Sequence, residues 1–169
     1  VFIISSAFIL SALMAPKTAD QSGSSSSDIT NPNIILPPAR TYSQVSGSNL
    51  GDPNAPVKVM VFFNFYCGHC KTFSEISEVK IIEDYVDKGL VYLSDIAFTW
   101  SDQAFLAAQA SYCASEQGKY WEYRDIVFAN ISNSALGPLD STNLINLAQP
   151  LGLDLEQFGE CVLTQKYAD

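Results

Sequence analysis

Two thiols stand two residues apart in Cys67-Gly68-His69-Cys70. A pair at that spacing can close a small disulfide ring with little loop-closure cost. The motif follows an apolar run, residues 57–65, that reads as a buried strand. It opens a stretch with helical periodicity through Phe73, Ile76, Val79, Ile82 and Val86. A thiol at a helix start faces unpaired N–H groups and the positive end of the helix dipole. Both favour the thiolate, so Cys67 should be acidic, nucleophilic and a good leaving group. His69 can add positive charge beside it, and with Gly68 it forms the dipeptide expected to tune the pair. The alternative for His69 is a solvated loop histidine with no electrostatic role. The chemistry indicated is dithiol–disulfide exchange.

Cys-x-x-Cys is also half of a zinc site, but a structural zinc needs a second pair of Cys or His ligands at short spacing. Cys113 and Cys161 are isolated and His69 is the only histidine. Neither a metal nor a cofactor is therefore expected. Two cysteines left over in an oxidising compartment more often pair than stay free, so Cys113–Cys161 is the expected structural disulfide. The alternative is two buried free thiols.

The elements that position these residues follow from pattern and punctuation. Thr41 to Val45 reads as a short edge strand, and Gly51-Asp-Pro-Asn-Ala-Pro56 is turn chemistry. Residues 57–64 read as a central strand, apolar on both faces as in a covered parallel sheet. Residues 67–87 read as a helix closing near Gly89, and residues 90–97 as a second strand. Four helices follow: residues 102–116, 119–130, 141–149, stopped by Pro150, and 154–167. Asp154 is the last helix's N-cap, with Gln157 as its capping-box partner.

The chain has 169 residues and a net charge of −9, enough length for one domain with a core. That charge argues against nucleic-acid binding, which needs a basic footprint. Residues 1–15 (VFIISSAFILSALMA) are almost wholly apolar, a signal or anchor segment with no good cleavage site after it, and an uncleaved anchor is the favoured reading. Residues 16–40, with Ser24 to Ser27 and Pro37-Pro38, read as a flexible Ser/Pro-rich tether. The domain, residues 41–169, is therefore expected outside the cytoplasm and held at the membrane. Asn130-Ile-Ser132 forms a glycosylation tripeptide common enough by chance to carry no assignment.

These segments in this order resemble the DsbA-like thioredoxin-fold family. The carriers are Gly51-Asp-Pro-Asn-Ala-Pro56, the run from Val57 to Cys70, Ser111-Tyr-Cys-Ala-Ser-Glu-Gln-Gly-Lys-Tyr-Trp-Glu-Tyr123, Leu151-Gly-Leu-Asp154 and Phe158-Gly-Glu-Cys161. The resemblance implies an α/β, thioredoxin-like fold with a helical block inserted at about residues 101–169 and lying over the redox pair. It implies Cys67 as the attacked and attacking sulfur and Cys70 as the resolving thiol. It further implies cysteine-containing exported proteins as substrates and reoxidation by a DsbB-like or vitamin K epoxide reductase-like membrane protein. The alternatives are a reductase or isomerase and, in another class, a redox-inert docking module.

Three departures from the family pattern stand out. No Thr-Pro or Val-Pro dipeptide follows Cys70, so the cis-proline loop, closing strands and final helix are expected to be missing. With Val1 in place of Met, this makes the sequence a fragment truncated at both ends, expected to have two or three strands and an unpaired edge beside the Cys67 strand. A buried acid six residues before the first cysteine is replaced by Val61, and Asn64 stands where relatives often have Asp. The aromatics Phe62, Phe63, Phe65 and Tyr66 are core and rim of the active-site face, or a peptide groove. Tyr120, Trp121 and Tyr123 are helix packing.

Overall fold

The computed structural model describes residues 31–168. The apolar segment 1–15 and the tether up to residue 30 lie outside the described residues. Among the described residues no helix is long and apolar enough to cross a membrane.

Four strands form one mixed sheet. β1 (Val45–Ser46) and β2 (Asn49–Leu50) make a tight hairpin, Val45 facing Leu50. β3 (Val57–Phe63) and β4 (Val91–Ala97) are parallel over their whole length, from Val57 beside Val91 to Phe63 beside Ala97. β2 runs antiparallel to β4, and the spatial order is β1-β2-β4-β3. Gly51 turns the chain out of β2 at φ +93°, where a Cβ would meet the Val91 carbonyl oxygen at 2.7 Å. Only glycine tolerates both that dihedral and that approach.

The strand expected over residues 41–45 is thus a hairpin one step later, and the sheet has four strands rather than two or three. The placement of β3 is a second correction. Among the described residues it pairs with β4 alone, so it is an edge strand, with the unpaired edge that was expected. It is also not covered on both faces. Phe63 is buried, whereas Met60 and Phe62, pointing the other way, are 65% and 63% exposed. Side chains alternate along a strand, so one apolar run supplies a covered face and a bare one.

From Gly68 to Val86 the chain is helical without interruption. α1 (Gly68–Thr72) passes into a π turn (Phe73–Ser77), then α2 (Glu78–Ile81) and a second π turn (Ile82–Val86). Wide turns raise the residues per turn, and positions four apart line up. The buried line is Ser74, Glu78, Ile82 and Val86. The period of 3.6 placed Ile76 inward, but it is exposed. The wider turn instead brings an acid, Glu78, into the interior.

The helical block follows as α3 (Asp102–Ser115), α4 (Tyr120–Asn130), α5 (Ser141–Ala148) and α6 (Leu155–Leu163), with a 3-10 turn at Gln149–Leu151. Ser101, Asp140 and Asp154 cap α3, α5 and α6 through their side-chain oxygens. The capping box at Asp154 is only half local. Its carboxylate takes the Glu156 and Gln157 N–H groups, but its own N–H donates to Gln117 Oε1 at 2.7 Å, from the turn after α3. Tyr120, Trp121 and Tyr123 are buried packing residues. The tether expected up to residue 40 ends earlier than that. Ile34 packs on the block's core, and Ile35 exchanges two hydrogen bonds with Asn130, N–H to Oδ1 at 2.9 Å and Nδ2 to carbonyl at 2.8 Å. The buried Asn130 amide is fully engaged, which removes the Asn130 tripeptide as an acceptor site.

Cys113 on α3 and Cys161 on α6 are joined as a disulfide, their Cα atoms 5.8 Å apart. The bond closes a loop of 48 residues. In the chain-entropy account it restricts the unfolded chain by about 4 kcal/mol. Replacing both cysteines by alanine should lower unfolding stability by about 3–4 kcal/mol in denaturant titration and leave the Cys67–Cys70 region in place. A change below about 1 kcal/mol would mean that the block is held by its apolar core alone.

Candidate functional site

The turn between β3 and α1 is built by Asn64. Its Oδ1 accepts the Tyr66 N–H at 2.8 Å, its carbonyl accepts the Cys67 N–H at 3.0 Å, and its Nδ2 donates to the Phe98 carbonyl at 2.7 Å. A buried amide thus ties the end of β3, the start of α1 and the end of β4 together. An aspartate could accept here but not donate to Phe98, a reason for amide rather than acid at this position.

Cys67 is the N-cap of α1. Its Sγ accepts the Cys70 N–H at 3.3 Å. The Cys70 thiol hydrogen bond, then the Cys70 backbone N–H, lower the Cys67 pKa, with a further backbone N–H from His69. The His69 ring is exposed, and its contribution to this sulfur comes through the main chain. Cys70 lies one turn on. Burial pushes its pKa up and the hydrogen bond to Cys67 adds to that, while a main-chain hydrogen bond from Asn64 and, more weakly, the Arg124 charge pull it down. The two sulfurs of one motif are therefore driven apart, one towards thiolate and one towards thiol.

Two clefts flank Cys70. One, of about 360 Å³, is walled by Met60, Phe62, His69, Phe73 and Arg124. The other, of about 380 Å³, is walled by Phe62, Phe63, Asn64, Phe98 and Trp100. Phe62, Phe98 and Trp100 are exposed. Of the aromatics singled out in the sequence, Phe63 and Phe65 belong to the core, where they stack with Phe128 of α4 at 5.8 and 4.9 Å. Phe62 and Tyr66 belong to the rim. Lys71 Nζ donates to the Phe128 carbonyl at 2.7 Å, which docks the helical block against the motif.

Sequence reasoning missed the charges beneath this surface. Arg124 of α4 is completely buried. Its guanidinium grips Glu78 at 2.7 and 3.1 Å, its Nε lies 2.6 Å from Asp95 Oδ2, and it sits 5.1–5.3 Å from the Phe63, Trp121 and Phe128 rings. Asp95 is the β4 residue registered beside Val61. A buried acid is therefore present next to the position where the family pattern has one, on the neighbouring strand. No helical or strand periodicity pointed to it; the only local signal was a charged residue inside an apolar strand. Among the described residues no group of His, Cys, Asp or Glu converges as a metal set.

Burial pushes the Asp95 pKa up to about 7, against the pull of Arg124 and with the help of Glu78. Its folded pKa exceeds its unfolded one, so the folded state holds the extra proton between about pH 4 and 7. That contribution to stability is full below pH 4 and is lost as pH rises through 7. Asp125, raised by burial, acts in the same sense. Unfolding free energy should thus fall by on the order of a few kcal/mol across this window, and Asp95→Asn should flatten the slope. Denaturant titrations at a series of pH values measure it, and an equal slope in both proteins would contradict a raised Asp95.

The chain matches the family described as thioredoxin over residues 43–169. It is 30% identical over 123 residues to a probable disulfide bond formation protein D of Bacillus anthracis, a match covering 69% of this chain and 56% of that protein. Its fold is similar to that of BdbD from Bacillus subtilis in the oxidised state, with a TM-score of 0.65, 25% identity, and 72% of this chain and 68% of that one covered. It is also similar to α-DsbA1 of Wolbachia pipientis, with a TM-score of 0.63, 29% identity, and 72% and 62% covered. The chain spans a little over half the length of the curated relatives first matched.

Proposed function

The chain belongs to the DsbA-like thioredoxin-fold family, and on that premise we propose that it is a thiol–disulfide oxidoreductase acting on cysteines of exported proteins. The observation that carries this reading is Cys67 at the N-cap of α1, its sulfur held by the Cys70 N–H and its pKa lowered. In the oxidising direction, a substrate thiolate attacks Cys67 Sγ of the Cys67–Cys70 disulfide. A substrate–Cys67 bond forms, and the Cys70 sulfur leaves with the electron pair of the broken bond. A second substrate thiolate then attacks the substrate sulfur of this mixed disulfide and expels Cys67 as thiolate. The substrate gains a disulfide, and two electrons remain on Cys67 and Cys70. A sulfur stabilised as thiolate leaves readily and makes the pair more oxidising.

The roles of Cys67 as exchanging sulfur, Cys70 as resolving sulfur, Gly68-His69 as tuning dipeptide and Cys113–Cys161 as structural brace all belong to this proposal. So do an extracytoplasmic location, membrane attachment through residues 1–15, and reoxidation by a DsbB-like or vitamin K epoxide reductase-like membrane protein. Two measurements test it. Alkylation of the reduced protein across pH should show Cys67 reacting well below the free-cysteine pKa of about 8.5. A glutathione equilibrium should place the pair near about −180 mV, and a value near −270 mV, the thioredoxin range, would make it a reductase instead.

A further inference from the structure

One fully buried cation forms a wall of the cleft that holds Cys70. The other walls of that cleft are Met60, Val61, Phe62, Phe63 and Phe73, with His69 at its exposed side. In the exchange reaction, the electron pair of the broken disulfide ends on the Cys70 sulfur. An anion forming among aromatic and aliphatic walls is costly unless a charge or donor faces it. Resting on the oxidoreductase reading, we propose that Arg124 is the positioning residue for this step, stabilising the Cys70 thiolate, and that Asp95 sets how much of the Arg124 charge reaches it.

The surrounding groups support this division of labour. Glu78 from α2 takes two guanidinium nitrogens and Asp95 from β4 faces the third. Asp125 from α4 lies 4.0 Å off and is itself held by Arg40, at 3.3 Å, and by the Tyr42 hydroxyl, at 2.5 Å. Tyr120, also on α4, is buried beside the same cluster, and its hydroxyl acts on Asp95 to lower the carboxyl pKa against the burial that raises it. With both carboxylates ionised the cluster of Arg124, Glu78 and Asp95 carries one net negative charge. With Asp95 protonated it is neutral, and Arg124 acts more strongly on Cys70. The Asp95 pKa near 7 puts that change at neutral pH, while the Arg124 field joins the Asn64 main-chain hydrogen bond in opposing the burial that raises Cys70. In the forward step Cys70 leaves as thiolate and takes its proton from water in the open cleft. In the reverse step it returns that proton before attacking Cys67.

The test uses a Cys67→Ser background, which leaves Cys70 as the single free thiol beside the Cys113–Cys161 disulfide. Its reaction with a small alkylating agent is followed across pH. Asp95→Asn keeps Arg124 and removes the competing charge, and should raise the Cys70 rate at neutral pH about three- to tenfold. Glu78→Gln/Asp95→Asn/Arg124→Met removes the whole cluster and should lower the rate about tenfold. If the triple variant does not fold, the Asp95→Asn comparison stands by itself. A folded Asp95→Asn protein whose Cys70 curve stays within about twofold of the parent overturns the proposal. Disulfide exchange with glutathione is measured separately with the cysteine pair intact. A shifted Cys70 curve in a protein that exchanges nothing upholds the charge coupling and overturns the oxidoreductase reading instead.

Discussion

Serine at position 67 should abolish disulfide exchange, by at least about a thousandfold, while leaving the fold intact. Every step of the proposed reaction forms or breaks a bond at Cys67 Sγ, and a hydroxyl can neither hold a disulfide nor leave as a stable anion at neutral pH. The fold should survive because Cys67 is the N-cap of α1, and serine is among the preferred residues there. Thermal unfolding should therefore be unchanged or slightly raised. Cys70→Ser should behave differently. Cys67 can still attack, but no internal thiol resolves the adduct, so mixed disulfides with substrate should accumulate and be visible by mass. Residual exchange in Cys67→Ser above the thousandfold limit, with adducts on Cys70, would reverse the two roles.

Arg124→Met should be the most destabilising single substitution in the block, by about 3–5 kcal/mol or to the point of unfolding. The guanidinium is completely buried and contacts Glu78 and Asp95, themselves buried. Truncating it leaves two carboxylates in an interior where an unpaired charge is costly, and it strips a cation from three aromatic faces. Lysine should restore little, because it lacks the planar fork that meets Glu78 at two nitrogens. Removing the two carboxylates along with the arginine should recover part of the loss, since uncompensated charge is its main source. Denaturant titrations of the single and triple variants at one pH give the comparison. Equal losses in both would shift the cause from charge to lost packing.

The placement of Cys67 at a helix start was legible in the sequence because its surroundings are local. A thiol at a helix start sees N–H groups two and three residues ahead of it, and the strand before and helix after are marked by their own patterns. The Asp154 cap was legible for the same reason, whereas the caps Ser101 and Asp140 were found only in the structure. Three things were decided only by tertiary structure. The apolar run at Val57–Phe63 is compatible with a covered or a bare face, and its place at the sheet edge decides which. The π turns move the buried stripe from Ile76 to Ser74 and Glu78, because a widened turn changes which residues share a face. Asn130 meets Ile35 across 95 positions and Arg124 meets Glu78 across 46, and neither pairing leaves a periodic trace. Short-range chemistry is written in neighbouring residues. The burial of a charge, and the partners that make it tolerable, depend on which segments the fold brings together.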